Sequence, residues 1–93
     1  MKVYLAGPIK GVDNYFAIFA EAAQKLRIKG HEVFNPAAAN LEGLPMGRIL
    51  SYELSWLCEQ AEAIAVLPGW RKSGGTRIEL AIAMYLKLKI MFL

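Results

Sequence analysis

The chain has 93 residues, a formal net charge of +3 at neutral pH and a hydrophobic content of 56%. A chain of this length has room for one domain, which we place over residues 1–93, and it buries only about 60 to 65% of its unfolded surface. Because the apolar share is high, we expect apolar surface to remain for a partner, as in a homodimer or higher homo-oligomer. The basic residues form no dense run of the kind found in nucleic-acid tails, which argues against a nucleic-acid partner.

Three further features limit the possible function classes. The single cysteine, Cys58, cannot form an internal disulfide and lies in an apolar helical pattern, so we expect a packing role and a reducing, cytoplasmic location. The first residues reach Gly7-Pro8 before a long apolar segment builds up, so neither a signal peptide nor a membrane span is expected. His31 has no second ligand at metal-binding spacing, and we expect no metal and no cofactor.

The first half of the chain predicts a strand, a helix and a second strand. Lys2 to Ala6 is a short apolar run that ends at a Gly-Pro breaker. A helix should follow, with Asp13 or Asn14 as its N-cap and Gly30 as its C-cap. His31 to Asn35 alternates polar and apolar residues and predicts the second strand, after which residues 37–47 are expected to form a loop.

The second half repeats this alternation. Arg48 to Gln60 carries an apolar stripe at helical spacing, and Ala63 to Leu67 is a continuous apolar run of buried-strand length. Thr76 to Leu86 is again helical, and Lys89 to Leu93 predicts a last strand.

Strands that alternate with helices in this way predict an α/β fold. We expect a small Rossmann-like or flavodoxin-like domain of three layers, with a four-stranded parallel sheet in the order 2-1-3-4 and helices on both faces. Ligands of such sheets bind beyond the carboxyl ends of the strands. The loops over residues 7–14 and 68–75 should therefore share one crevice.

The segment before the last predicted helix is the leading candidate for a ligand site. Ser73, Gly74 and Gly75 could cradle a phosphate through a hydroxyl and backbone amides, and Arg71, Lys72 and Arg77 supply positive charge nearby. Glu79 would then lie beside a sugar. An alternative is structural, because Thr76-x-x-Glu79 before an apolar run is also the signature of a capping box.

Other side chains could contribute to the same crevice. Tyr4 on the first strand and Lys10 in the loop after it should point into it, although Tyr4 could equally be a core residue and Lys10 a solvated charge. Glu53 lies within a helix, where a carboxylate is usually on the solvent face. Trp56 and Trp70 could stack on a base or pack a core, and Trp70 is the better ligand candidate because it lies in the glycine loop.

Several motifs in the same order resemble the nucleoside 2-deoxyribosyltransferase superfamily, especially its short phage and bacterial members and the 2′-deoxynucleoside 5′-monophosphate N-hydrolases. The resemblance covers essentially the whole chain. The motifs that carry it are Val3-Tyr4-Leu5-Ala6-Gly7-Pro8-Ile9-Lys10-Gly11, Gly30-His31-Glu32-Val33-Phe34-Asn35-Pro36, Glu53-Leu54-Ser55-Trp56-Leu57, and Ser73-Gly74-Gly75-Thr76 with Glu79-Leu80.

The resemblance implies cleavage of the N-glycosidic bond of a 2′-deoxynucleoside or its 5′-monophosphate by nucleophilic attack of Glu79, with water or a second base as acceptor. By the same resemblance Tyr4 orients Glu79, and Glu53 stands for an aspartate that helps to hold the sugar or the acid. Lys10 and Ser73 would approach the 5′ end of the substrate. The positions expected to bind substrate are Gly7, Pro8, Ile9, Lys10, Gly69, Trp70, Ser73, Gly74, Gly75 and Thr76.

Two rival interpretations remain at this point. Pro68-Gly69 with Gly75-Thr76-x-x-Glu79 also resembles the phosphoribohydrolases of the lysine-decarboxylase-like group, which would keep Glu79 in the site but admit a ribose. The same crevice could instead belong to a non-catalytic protein that binds a nucleotide or a signalling molecule.

Overall fold

The computed structural model describes residues 1–39, 41 and 43–93 and contains a four-stranded sheet with three α-helices. The strands are β1 (Lys2–Ala6), β2 (Glu32–Phe34), β3 (Ala63–Val66) and β4 (Lys89–Phe92), and the helices are α1 (Tyr15–Ile28), α2 (Met46–Glu59) and α3 (Gly74–Tyr85). Short 3₁₀ turns occupy Pro36–Ala38 and Trp70–Lys72.

All strand pairs are parallel and their order is β2-β1-β3-β4, which confirms the predicted fold and strand order. The parallel pairing follows from the alternation in the sequence, because each helix returns the chain to the end of the sheet at which the strands begin. The register places Tyr4 of β1 between Phe34 of β2 and Ile64 of β3. These three side chains therefore point to the same face of the sheet.

The core has two halves, one on each face of the sheet. Val3 and Leu5 of β1 pack with Phe19 and Leu26 of α1 on one face. Tyr4 and Ala6, the residues between them in the sequence, point to the other face, where α2 and α3 lie. Because both faces are covered, the central strands read as continuous apolar runs, as buried parallel strands do.

Most predicted boundaries agree with the structure to within two residues, and the differences have local causes. Helix α1 ends at Ile28 with Lys29 as C-cap, one residue before the predicted Gly30, whose φ of +93° turns the chain so that the N–H of His31 donates to the Leu26 carbonyl. Asn14 precedes α1, but its side chain makes no capping hydrogen bond. Helix α2 begins at Met46, inside the predicted loop 37–47; of that loop, residues 40 and 42 lie outside the described residues.

The packing role predicted for Cys58 is wrong, because this side chain is exposed. Leu57 takes the fully buried position of α2, and the next residue is rotated by about 100° around the helix axis. The structure describes no helix that is both long enough and apolar enough to cross a lipid bilayer.

Gly69 lies in the turn after β3, and its backbone conformation leads to a stability prediction. Its φ is +86°, and an added Cβ would make only an ordinary contact, 3.5 Å from Cγ of Pro8. We expect Gly69→Ala to lower the free energy of unfolding by about 1 to 2 kcal/mol through backbone strain alone. Gly75→Ala, within α3 and with open space around it, should raise it by up to about 1 kcal/mol. Equal urea midpoints for the two variants would contradict this account.

Candidate active site

Glu79 lies on the second turn of α3 and faces the sheet rather than solvent. Its side chain is 7% exposed, and its carboxylate accepts a hydrogen bond from the hydroxyl of Tyr4 on β1. Tyr4 is fully buried, so the two groups meet in the protein interior although they are 75 positions apart in the chain. The strand and the helix thus bring together two of the residues predicted to be catalytic.

The interpretation of Glu79 as a helix cap is wrong. Helix α3 begins two residues earlier than predicted, and its N-cap is Ser73, whose Oγ accepts a hydrogen bond from the N–H of Thr76 at 3.3 Å. Glu79 therefore lies one turn further into the helix than the capping position, and its carboxylate accepts a hydrogen bond from Tyr4 instead of from a terminal amide. The chain keeps a carboxylate in its interior that helix capping does not require.

Burial and charge shift the proton affinities of three groups at this site. Burial raises the pKa of Glu79 to about 7, with a smaller upward contribution from the Glu53 carboxylate, while the hydrogen bond from Tyr4 acts in the opposite direction. Partial burial also raises the pKa of Glu53. The pKa of Tyr4 lies far above its usual range because the ring is buried beside two carboxylates. Tyr4 is thus a fixed hydrogen-bond donor, and Glu79 changes charge near neutral pH.

Aromatic side chains form one wall of the site. The rings of Tyr4 and Phe34 are stacked, with centroids 5.3 Å apart and an interplanar angle of 13°. Trp56 of α2 contacts both, with its ring 5.1 Å from Phe34 and 6.3 Å from Tyr4. This cluster holds the Tyr4 ring in place, and therefore the position of the hydroxyl group that bonds to Glu79. Trp56 has this packing role, one of the two predicted for it.

The predicted phosphate cradle has one engaged side chain and two open backbone positions. Ser73 Oγ accepts hydrogen bonds from both the N–H and the hydroxyl of Thr76, so only its own hydroxyl hydrogen remains for a ligand. The Thr76 side chain is buried against this cap and does not face solvent. Gly74 and Gly75 are exposed in the first turn of α3, where backbone amides lack helical partners. These two amides are the accessible part of the cradle.

The loop after β1 lies beside the segment after β3, as the topology predicted. A Cβ on Gly7 would be 2.8 Å from Cβ of Leu67, so glycine is needed there for close packing between the two segments. Pro8 is half-buried against this contact, whereas Ile9 and Lys10 are exposed. Of the residues predicted to bind substrate in this loop, Lys10 is the one that carries a charge, and it is exposed to solvent.

Gly69 and Trp70 belong to a cavity that none of Tyr4, Glu53 and Glu79 lines. Its volume is about 270 Å³, it lies on the β4 side of the site, and Val66, Phe92 and Leu93 also line it. A second, shallower depression of about 190 Å³ lies on the outer face of α2 beside Tyr52. Glu79, which is 7% exposed, lines neither of these two cavities. The sequence did not indicate that Phe92 lines this cavity or that Phe34 stacks on Tyr4, because both contacts depend on strand pairing between distant segments.

Among the residues that the structure describes, no three His, Cys, Asp or Glu side chains come together as a possible metal site. No curated protein and no solved structure is detectably similar to the chain. One family model matches residues 1–92, nearly the whole chain, and its description is a domain of unknown function. The chain therefore belongs to the DUF4406 family.

Proposed function

We propose that this protein is an enzyme that cleaves the N-glycosidic bond of 2′-deoxynucleosides or their 5′-monophosphates by hydrolysis or base exchange. The observation that carries the proposal is the buried carboxylate of Glu79, held by the Tyr4 hydroxyl beside a second carboxylate, Glu53. A buried acid whose pKa lies near 7 is typical of a catalytic group. The resemblance of the Tyr4, Glu53 and Glu79 motifs to the deoxyribosyltransferases gives the reaction class.

In the proposed mechanism an Oε atom of Glu79 attacks the anomeric carbon as the bond to the base nitrogen breaks. The base leaves with the bonding electron pair and takes a proton from Glu53, a carboxyl whose pKa is raised by partial burial. Water then attacks the same carbon, returns a proton to Glu53 and releases Glu79; in base exchange a second base replaces the water. Two displacements at the anomeric carbon retain its configuration.

The substrate class follows from the groups around the carboxylate. The open amides of Gly74 and Gly75 and the exposed positive charge of Lys10 favour an anionic 5′ end. We also propose a cytoplasmic homodimer or higher homo-oligomer, in which partners cover exposed apolar side chains such as Phe16, Ile28 and Tyr85.

The proposal is tested by incubating the protein with each deoxynucleoside, each deoxynucleoside 5′-monophosphate and the matching ribonucleotides. Released base is measured by chromatography, and mass spectrometry of acid-quenched protein looks for an added deoxyribosyl group. We expect base release from a deoxy substrate and the adduct on the peptide that contains Glu79. Calorimetric binding of a nucleotide without turnover would instead support the non-catalytic interpretation, and turnover of ribonucleotides alone would support the phosphoribohydrolase-like one.

The pH dependence of base release provides an independent check. Because the attacking group must be ionised, kcat/KM should rise with pH through about 7, the pKa of Glu79, and should fall again where Glu53 loses the proton that it gives to the base. The hydrogen bond from Tyr4 lowers this pKa, so Tyr4→Phe should move the rise to higher pH and reduce the rate at pH 7. A rise at the same pH in both proteins would exclude Glu79 as the titrating group.

A further inference from the structure

The cavity at the carboxyl ends of β3 and β4 is a candidate ligand site that is separate from the proposed catalytic residues. It is lined by Val66 of β3, by the 3₁₀ turn Trp70–Lys72 and by the end of β4. Its volume of about 270 Å³ is close to the lower limit of small-molecule pockets, which is about 300 Å³. None of Tyr4, Glu53 and Glu79 lines it, so a ligand there would not contact the proposed catalytic groups.

The walls of this cavity are aromatic and incompletely covered. Trp70 and Phe92 contact each other with their ring centroids 5.8 Å apart, and both line the cavity. Phe92 nevertheless remains 61% exposed and the neighbouring Leu93 46% exposed. An apolar ligand body would remove this ring surface from water, which is the main source of affinity in small pockets.

The rim of the cavity carries positive charge. The Arg71 guanidinium lies 5.2 Å from the centroid of the Trp70 ring, a cation–π contact that holds the charge beside the apolar wall. Lys72 follows it on the rim, and no lining side chain is acidic. Among the residues that the structure describes, Lys25 pairs with Glu21 on α1, whereas neither Arg71 nor Lys72 pairs with a carboxylate. The charges that this cavity can satisfy are therefore those of an anion.

We propose that this cavity binds a small organic anion with one aromatic or branched aliphatic group and one carboxylate or phosphate. The apolar group rests on Trp70 and Phe92, and the acid group meets Arg71 and Lys72 at the rim. Two cations on adjacent residues and a pocket of this size suit a single acid group with a compact body. The inference does not depend on the proposed glycosidic chemistry.

The test uses two anionic probes, benzoate and phenyl phosphate, with benzyl alcohol and inorganic phosphate as partial ligands. Amide and indole NMR signals of ¹⁵N-labelled protein are followed during titration with each probe. We expect at least one anionic probe to shift the Trp70 indole and the amides of residues 69–72 and 92–93. Benzyl alcohol and inorganic phosphate should each bind at least roughly tenfold more weakly, because the first lacks the acid group and the second lacks the apolar group.

Matched variants decide the outcome. R71Q/K72Q should weaken binding of the probe roughly tenfold, whereas K25Q/K29Q, which removes one exposed charge from α1 and one from its C-cap, should leave the affinity unchanged. E79Q should also leave it unchanged, so failure of the catalytic proposal does not affect this result. Absence of shifts at millimolar probe, or equal binding by wild type and R71Q/K72Q, would overturn the proposal. So would concentration-dependent shifts of the same amides without probe, since a second copy would then occupy the cavity.

Discussion

Replacing Glu79 by glutamine is expected to reduce base release from the best deoxy substrate by at least about 10⁴-fold, the size of loss seen when a nucleophile is removed. Glutamine has nearly the same shape and can still accept a hydrogen bond from Tyr4, but its amide cannot form the glycosyl ester. The effect should appear in kcat measured with saturating substrate. The deoxyribosyl adduct expected at Glu79 should be absent from the mass spectrum of the same variant.

Two controls make this result specific to the buried carboxylate. Glu59→Gln removes an exposed carboxylate from α2 and should keep the wild-type rate. Glu79→Asp keeps the charge but withdraws it by one methylene from the sugar, and its rate should fall between those of wild type and Glu79→Gln. Circular dichroism should show that all three variants are folded. Wild-type turnover by Glu79→Gln would exclude the covalent mechanism.

The general fold could be predicted from local patterns, because each pattern reflects an interaction within a few residues. The apolar runs of β1 and β3 and the glycine at the end of α1 depend only on burial and backbone conformation. Four parallel strands with short connections leave few possible topologies, so the strand order also followed. For the same reason the loops after β1 and β3 could be placed side by side.

The environment of Glu79 could not be predicted to the same degree. With Thr76 as N-cap the side chain of Glu79 would turn back to the helix end, whereas with Ser73 as N-cap it faces the sheet. Both residues are good caps, and the choice depends on burial of the Thr76 side chain, which is a tertiary effect. The stacking of Tyr4 on Phe34 likewise depends on the register between β1 and β2. Non-local packing therefore determines which side chains surround the carboxylate.

The buried carboxylate should also make the stability of the protein depend on pH. The pKa of Glu79 is about 7 in the folded protein, against a reference value of 4.5 for an exposed glutamate. The folded state thus binds this proton more tightly than the unfolded state, and stability falls as pH rises from about 4.5 through 7. We expect the loss from this group to be about 3 kcal/mol in the free energy of unfolding, and burial of Glu53 acts in the same direction.

Urea unfolding of wild type and Glu79→Gln between pH 5 and pH 8.5 measures this contribution directly. The neutral amide cannot ionise, so the variant should gain stability relative to wild type as pH increases and should be the more stable protein at pH 8.5. Glu59→Gln should follow the wild-type curve, because that side chain is exposed. A constant difference between wild type and Glu79→Gln across this range would mean that folding does not raise the pKa of Glu79. A difference that grows with pH would mean that the chain retains an ionisable group that lowers the stability of the folded protein at neutral pH. Enzymes accept such a loss of stability at catalytic acids.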